Sequence, residues 1–166
     1  MTHGVTYEHV ATDHPLSVHI VRIDPTKVTL SSVRALNDGI GRESLSSIVH
    51  RTGALVAING GFFTEKGTFD GLPMGMLKIN GQWLAETKKP RSAVGWSKES
   101  TQLFFDRIHL TTSCLFDDTI VLPVQGLNRK RHPREACLFT YPFHRCTLTP
   151  PHGTEIVIQN NQVKEI

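Results

Sequence analysis

The chain holds only three cysteines in 166 residues, Cys114, Cys137 and Cys146, and none forms a Cys-x-x-Cys pair. So sparse and odd a set excludes a disulfide scaffold and a zinc knuckle. Cys137 lies in an apolar run and reads as a small buried side chain. Nine histidines are present, yet none falls into His-x-His or His-Glu-x-x-His spacing, so the sequence sets up no metal site and calls for no cofactor. Gly-x-Ser-x-Gly, Gly-x-x-x-x-Gly-Lys-[Ser/Thr] and Gly-x-Gly-x-x-Gly are all missing, which removes the signatures of nucleophile-elbow hydrolases, P-loop NTPases and dinucleotide-binding enzymes. No apolar run is long enough to cross a bilayer, and residues 1–15 are polar, unlike a secretory leader. A net charge of +3 is too small to argue for a nucleic-acid partner, while an anionic small substrate stays compatible with it.

What is present centres on Ala54-Leu55-Val56-Ala57-Ile58-Asn59-Gly60-Gly61-Phe62-Phe63. Five apolar residues in a row predict a strand buried on both faces. Asn59, Gly60 and Gly61 accept positive φ at little cost, so the chain is expected to bend there and to turn consecutive N–H groups inward. Such a concave set of amides suits an anion or an oxygen-rich ligand. An ordinary tight turn explains Asn-Gly-Gly equally well. Phe62 and Phe63 are expected to fix the turn against the core.

Along the rest of the chain, Leu16-Ser17-Val18-His19-Ile20-Val21-Arg22-Ile23 is rich in β-branched residues and predicts a strand ended by Asp24-Pro25, with residues 28–35 as its antiparallel partner. Ser44 is placed to cap a helix whose Leu45, Ile48 and Val49 share a face, and Gly53 to close it. Asn80-Gly81, between Met76-Leu77-Lys78-Ile79 and Gln82-Trp83-Leu84, is the strongest hairpin signal, and Asn160-Asn161 near the end is a second. Residues 92–96, 101–105, 107–110 and 136–141 read as further short strands. Residues 123–135, with Arg129, Lys130, Arg131, His132 and Arg134, form a basic connection, either a solvated loop or a rim that attracts phosphate. At this length one core is expected. The sequence therefore predicts a single α+β domain of short, mainly antiparallel strands, with one clear helix before a central buried strand.

Ala-Ile-Asn-Gly-Gly-Phe-Phe at 57–63, Gly71-Leu72-Pro73-Met74-Gly75-Met76, Asn80-Gly81 and Arg91-Ser92-Ala93-Val94-Gly95 together resemble the phosphodiester glycosidase family. The likeness is collinear from Gly4-Val5-Thr6-Tyr7 to Leu138-Phe139-Thr140. Pro142-Phe143-His144-Arg145-Cys146 departs from it. The resemblance implies a hydrolase that cleaves a sugar from a sugar 1-phosphodiester or related glycoconjugate, with a carbohydrate or sugar phosphate as partner. It also implies export to the periplasm or the extracellular space. Related proteins continue through an Arg-Thr-x-x-Gly and an Asp-Gly-Gly-Gly-Ser segment, neither of which occurs here, so residues 1–166 are expected to be a domain incomplete at its C-terminus. A truncated, noncatalytic domain that keeps a sugar- or anion-binding surface is the alternative, and an exposed sheet edge would then favour pairing with a second copy.

Chemistry assigns the roles. A departing phosphate needs its charge held more than it needs a proton, and the sugar left behind is oxocarbenium-like. The amides of Asn59, Gly60 and Gly61 and the guanidinium of Arg91 meet the first demand. Asp70 and Glu65, in the loop after the aromatic pair, are the candidates for the second, with Asp24 and Glu86 further off; simply solvated loop carboxylates, with the essential carboxylate in the segment absent here, are the alternative. Asn59 has a side-chain amide suited to sugar hydroxyls, with Phe63, Pro73 and Gly75 shaping the facing wall.

Overall fold

Turn chemistry decides where this chain folds back on itself. The computed structural model describes residues 4–14, 16–97 and 102–166, and these form twelve short strands and one α-helix. In chain order the strands are β1 (Val5–Ala11), β2 (Ser17–Ile23), β3 (Leu77–Ile79), β4 (Gln82–Ala85), β5 (Arg91–Trp96), β6 (Leu103–Ile108), β7 (Thr112–Phe116), β8 (Ile120–Val124), β9 (Gly126–Leu127), β10 (Cys137–Leu138), β11 (Val157–Gln159) and β12 (Gln162–Glu165). Each strand pairs with one other, giving two-stranded sheets throughout the described residues. All pairs are antiparallel except β9 with β10.

Asn80 and Gly81 sit at φ 50° and 81° between β3 and β4, and Asn160 and Asn161 at φ 51° and 59° between β11 and β12. Both turns need left-handed residues in succession, which Asn and Gly supply cheaply. Asp117 and Asp118, at φ 46° and 55°, make the same kind of turn between β7 and β8. The helix α1 (Leu45–Thr52) begins where Ser44 Oγ accepts from the Ser47 amide at 3.2 Å and ends at Gly53 with φ 66°. Cap and stop therefore both act locally.

Two compact units emerge, one of Met1–Val33 with Pro90–Ile108 and one of Arg34–Lys89 with His109–Ile166. In the first, β1 pairs with β2 from Val5↔Ile23 to Ala11↔Ser17, and β5 with β6 from Arg91↔Ile108 to Trp96↔Leu103. The Trp96 indole N–H donates to the Leu30 carbonyl at 3.0 Å. In the second, Leu72, Leu84, Ala85, Leu127 and Phe143 are buried. Phe143 stacks on Phe69 at a centroid distance of 6.4 Å and meets Phe139 at a tilt, 5.2 Å between centroids.

The α+β expectation is corrected: the chain is mostly β. Among the described residues the one α-helix has eight residues, none of them buried. The central buried strand does not form either. Residues 54–58 have no strand partner among the described residues, and Leu55 and Ile58 are 63% and 85% exposed. An apolar run becomes a buried strand only if neighbouring strands satisfy its amides and carbonyls.

Three local expectations change for similar reasons. The partner of β2 is β1, whereas residues 28–35 carry no strand, because Asp24 turns the chain by accepting from the Thr26 amide and hydroxyl and, through its carbonyl, from the Val28 amide. Residues 103–108 form one continuous strand where two were expected; Thr101 lies outside the described residues. The basic connection is turned inward at its start, with Gly126, Leu127 and Asn128 buried.

Candidate functional site

Residues 62–74 fold into a narrow loop that carries most of the sequence-selected side chains. Its arms are held by the Phe63↔Pro73 bridge, by the Thr64 amide on the Leu72 carbonyl, and by the Gly71 amide on the Thr64 carbonyl, both at 2.8 Å. Leu72 and Phe69 anchor it, the first buried and the second stacked on Phe143.

Gly71 decides what this loop meets. At φ +84° it sits against residue 41 so closely that a Cβ would lie 2.0 Å from the Gly41 carbonyl oxygen, and the Gly41 amide donates to the Asp70 carbonyl at 2.6 Å. That approach sets Arg42 beside Asp70. The Arg42 Nε and Nη2 groups donate to Asp70 Oδ1 at 2.7 and 2.5 Å, and the guanidinium lies 5.2 Å from the centroid of the Phe63 ring. The Lys66 amide donates to the same carboxylate oxygen at 2.9 Å. Hydrogen bonds from Arg42 and then from Lys66 hold the Asp70 carboxyl below its usual range. Glu65 accepts no hydrogen bond among the described residues and lies close enough for its charge to act on Arg42.

The structure thus brings together Phe63, Glu65, Asp70 and Pro73, and adds Arg42, which sequence reasoning missed. No spacing signals a pairing across 28 residues; only the bare backbone of Gly71 hints at a close approach. Chemically, the cluster offers a guanidinium over an aromatic face, whose Nη1 donors Asp70 does not use, beside an ionised carboxylate and a second carboxylate at the loop tip. Such a set can recognise an oxygen-rich anion. The ion pair is half-exposed, so it contributes little to stability.

The other candidates lie apart from this cluster. Asn59, Gly60 and Gly61 are exposed, none has positive φ, and a Cβ at either glycine would meet nothing within 4 Å. The chain bends at Gly61 without positive φ and on an exposed stretch, so these amides form no inward-facing cradle. Phe62 is 82% exposed and braces nothing. Gly75 is half-buried without positive φ. Arg91 is exposed at the start of β5 and belongs to the first unit, whereas residues 59–75 belong to the second. A shallow concavity of about 540 Å³ on β5 and β6, lined by Ser92, Val94, Phe105, Asp106 and Arg107 among others, holds none of the candidates.

Two further clusters in the second unit were invisible in the sequence. His144 Nδ1 lies 3.1 Å from both carboxylate oxygens of Asp38, 106 residues away. No hydroxyl or thiol is hydrogen-bonded to His144 among the described residues, so the pair lacks the nucleophile of a triad. Arg129 Nη1 donates to Glu135 at 2.7 Å and Nη2 to the Gln125 carbonyl, while Lys88 donates to Glu135 at 3.0 Å. The Arg129 bond, then that of Lys88, brings the Glu135 carboxyl down to about 2 against the cost of desolvation. Burial likewise pushes the Cys137 thiol up, which makes it a poor nucleophile.

Compared with known proteins, the chain matches no family model, no curated protein and no solved structure. No group of three or more His, Cys, Asp or Glu side chains suited to a metal gathers among the described residues. No helix among them is long and apolar enough to cross a membrane.

Proposed function

We propose that the chain is a hydrolase of the phosphodiester glycosidase type, acting on a sugar 1-phosphodiester or related glycoconjugate at the 62–74 loop. The observation that carries the reading is the convergence of Arg42, Phe63, Glu65 and Asp70, which supplies a phosphate-binding cation and two carboxylates. The motif likeness at 57–63, 71–76 and 91–95 supports the same substrate class. Arg42 takes the part assigned to Arg91 from sequence, holding the departing phosphate through donors that Asp70 leaves unused. Asp70 stays ionised and fixes the guanidinium, so Glu65 is the carboxylate left to serve the sugar or a water. Incubation with a panel of sugar 1-phosphodiesters, reading free reducing sugar, tests this: Glu65→Gln should abolish turnover and Arg42→Ala should raise KM. Turnover unaffected by both substitutions would remove this loop from the chemistry.

The second reading, a surface that binds a sugar or anion without cleaving it, is favoured by one observation. Asp70 Oδ1 accepts from both Arg42 and Lys66, which ties that carboxylate to the guanidinium and leaves Glu65 as the one carboxylate free for the sugar, where glycoside hydrolysis ordinarily uses two. Saturable binding of a sugar phosphate with no release of reducing sugar would select it. Pairing with a second copy belongs to either reading. β7 and β8 form an isolated two-stranded sheet whose Leu115, Ile120 and Val121 are each more than half exposed, and open edges of that kind add strands. Sedimentation velocity over a concentration series should show self-association, and a concentration-independent monomer would refute it.

A further inference from the structure

We propose that His9 and His19 form a two-imidazole chelate for a late first-row divalent cation, Cu2+, Ni2+ or Zn2+, on the open face of the β1–β2 hairpin. The two residues are direct cross-strand partners, so the pairing register aligns their side chains on one face. Their rings are stacked at 4.5 Å between centroids, 8° from parallel. Both Nε2 atoms border one point. That point is now held by the Ser17 hydroxyl, 2.7 Å from Nε2 of His9 and 3.4 Å from Nε2 of His19.

The other nitrogen of His19 is already arranged as a metal ligand requires. Nδ1 lies 2.7 Å from the Tyr7 hydroxyl, whose ring stacks on His19 at 5.9 Å. With Nδ1–H donating to the phenol oxygen, the lone pair of His19 sits on Nε2 and faces the shared point. Orientation of a ligating imidazole through its second nitrogen is the usual arrangement around bound metals. Moving Ser17 to another χ1 well vacates the point; because the in-plane lone pairs of parallel rings do not meet, binding also turns the two imidazoles out of their stack about their broad χ2 wells, so that each Nε2 aims at a cation at about 2.0–2.1 Å. Imidazole donors favour Cu2+, Ni2+ and Zn2+ over Mg2+ and Ca2+, and water completes an exposed two-ligand site. This face belongs to the first unit and shares no residue with the 62–74 loop.

Because the chain has nine histidines, the test is run at substoichiometric metal. Copper EPR of the full chain should show two nitrogen donors. Substoichiometric Cu2+ or Ni2+ should broaden the NMR signals of His9, His19 and Tyr7 before those of any other histidine. His9→Gln or His19→Gln should weaken Ni2+ binding at least about tenfold and Tyr7→Phe about tenfold, while His50→Gln on α1 leaves it unchanged. A single-nitrogen copper spectrum, or first broadening at other histidines, overturns the proposal on the unmodified protein, whatever the folding of the variants.

Discussion

Replacing Asn128 by alanine is the sharpest single test of the second unit. Leu77 pairs with Ala85 and Lys78 with Trp83, so Leu84 is the extra residue of a bulge in β4. The Asn128 amide nitrogen donates to the Leu84 carbonyl at 3.1 Å, and its oxygen accepts from the Thr140 amide at 2.8 Å. Asn128 is 1% exposed, so water cannot replace it. Alanine strands both backbone groups, at about 1–3 kcal/mol each. The left-handed φ of 51° adds little to this difference, because asparagine also carries a Cβ. The expected loss is about 4 kcal/mol, a large share of an ordinary domain's stability, and lowers Tm by roughly 8–16 °C for a chain of this size. Urea unfolding followed by circular dichroism measures it. Asn128→Gly removes the same hydrogen bonds without the left-handed penalty, so it should be the more stable of the two variants by about 1–2 kcal/mol. If both variants unfold within about 0.5 kcal/mol of the unsubstituted protein, the bulge and Thr140 are not tied together through this side chain.

Two further perturbations test the electrostatics and the loop. The carboxyls of Glu43, hydrogen-bonded by Arg51 and the Leu36 amide, and Glu135 are both brought down to about 2. Folded values below the unfolded ones mean that their contribution is fully present above about pH 4.5 and is lost as pH falls through 2; acid titration of Glu135→Gln should show a shallower loss over that window, and an identical profile would refute the assignment. Gly71→Ala drives a Cβ into the Gly41 carbonyl at left-handed φ, so it should separate Arg42 from Asp70 and destabilise by about 2–4 kcal/mol. Thermal unfolding measures that loss, and a stability equal to that of the unsubstituted chain would show that the approach of residues 41 and 71 is not close.

The sequence by itself determined the elements whose causes lie within a few residues of one another. Ser44 and Gly53 bound the helix, and Asn80-Gly81 and Asn160-Asn161 reverse the chain, because capping and left-handed φ are settled by local sterics and hydrogen bonds. It also placed Glu65 and Asp70 together in the loop after the aromatic pair. Tertiary structure alone decided the fate of residues 54–58: their apolar character is equally compatible with a buried strand and an exposed segment, and partner strands make the difference. It alone set Arg42 rather than Arg91 beside Asp70, turned Asn128 and Arg129 inward, and laid His9 on His19 through the register of β1 with β2. The contacts of Arg42 with Asp70, Asn128 with Leu84 and His9 with His19 join residues 10 to 44 positions apart, and no rule of spacing along a chain encodes which distant backbones come to lie side by side.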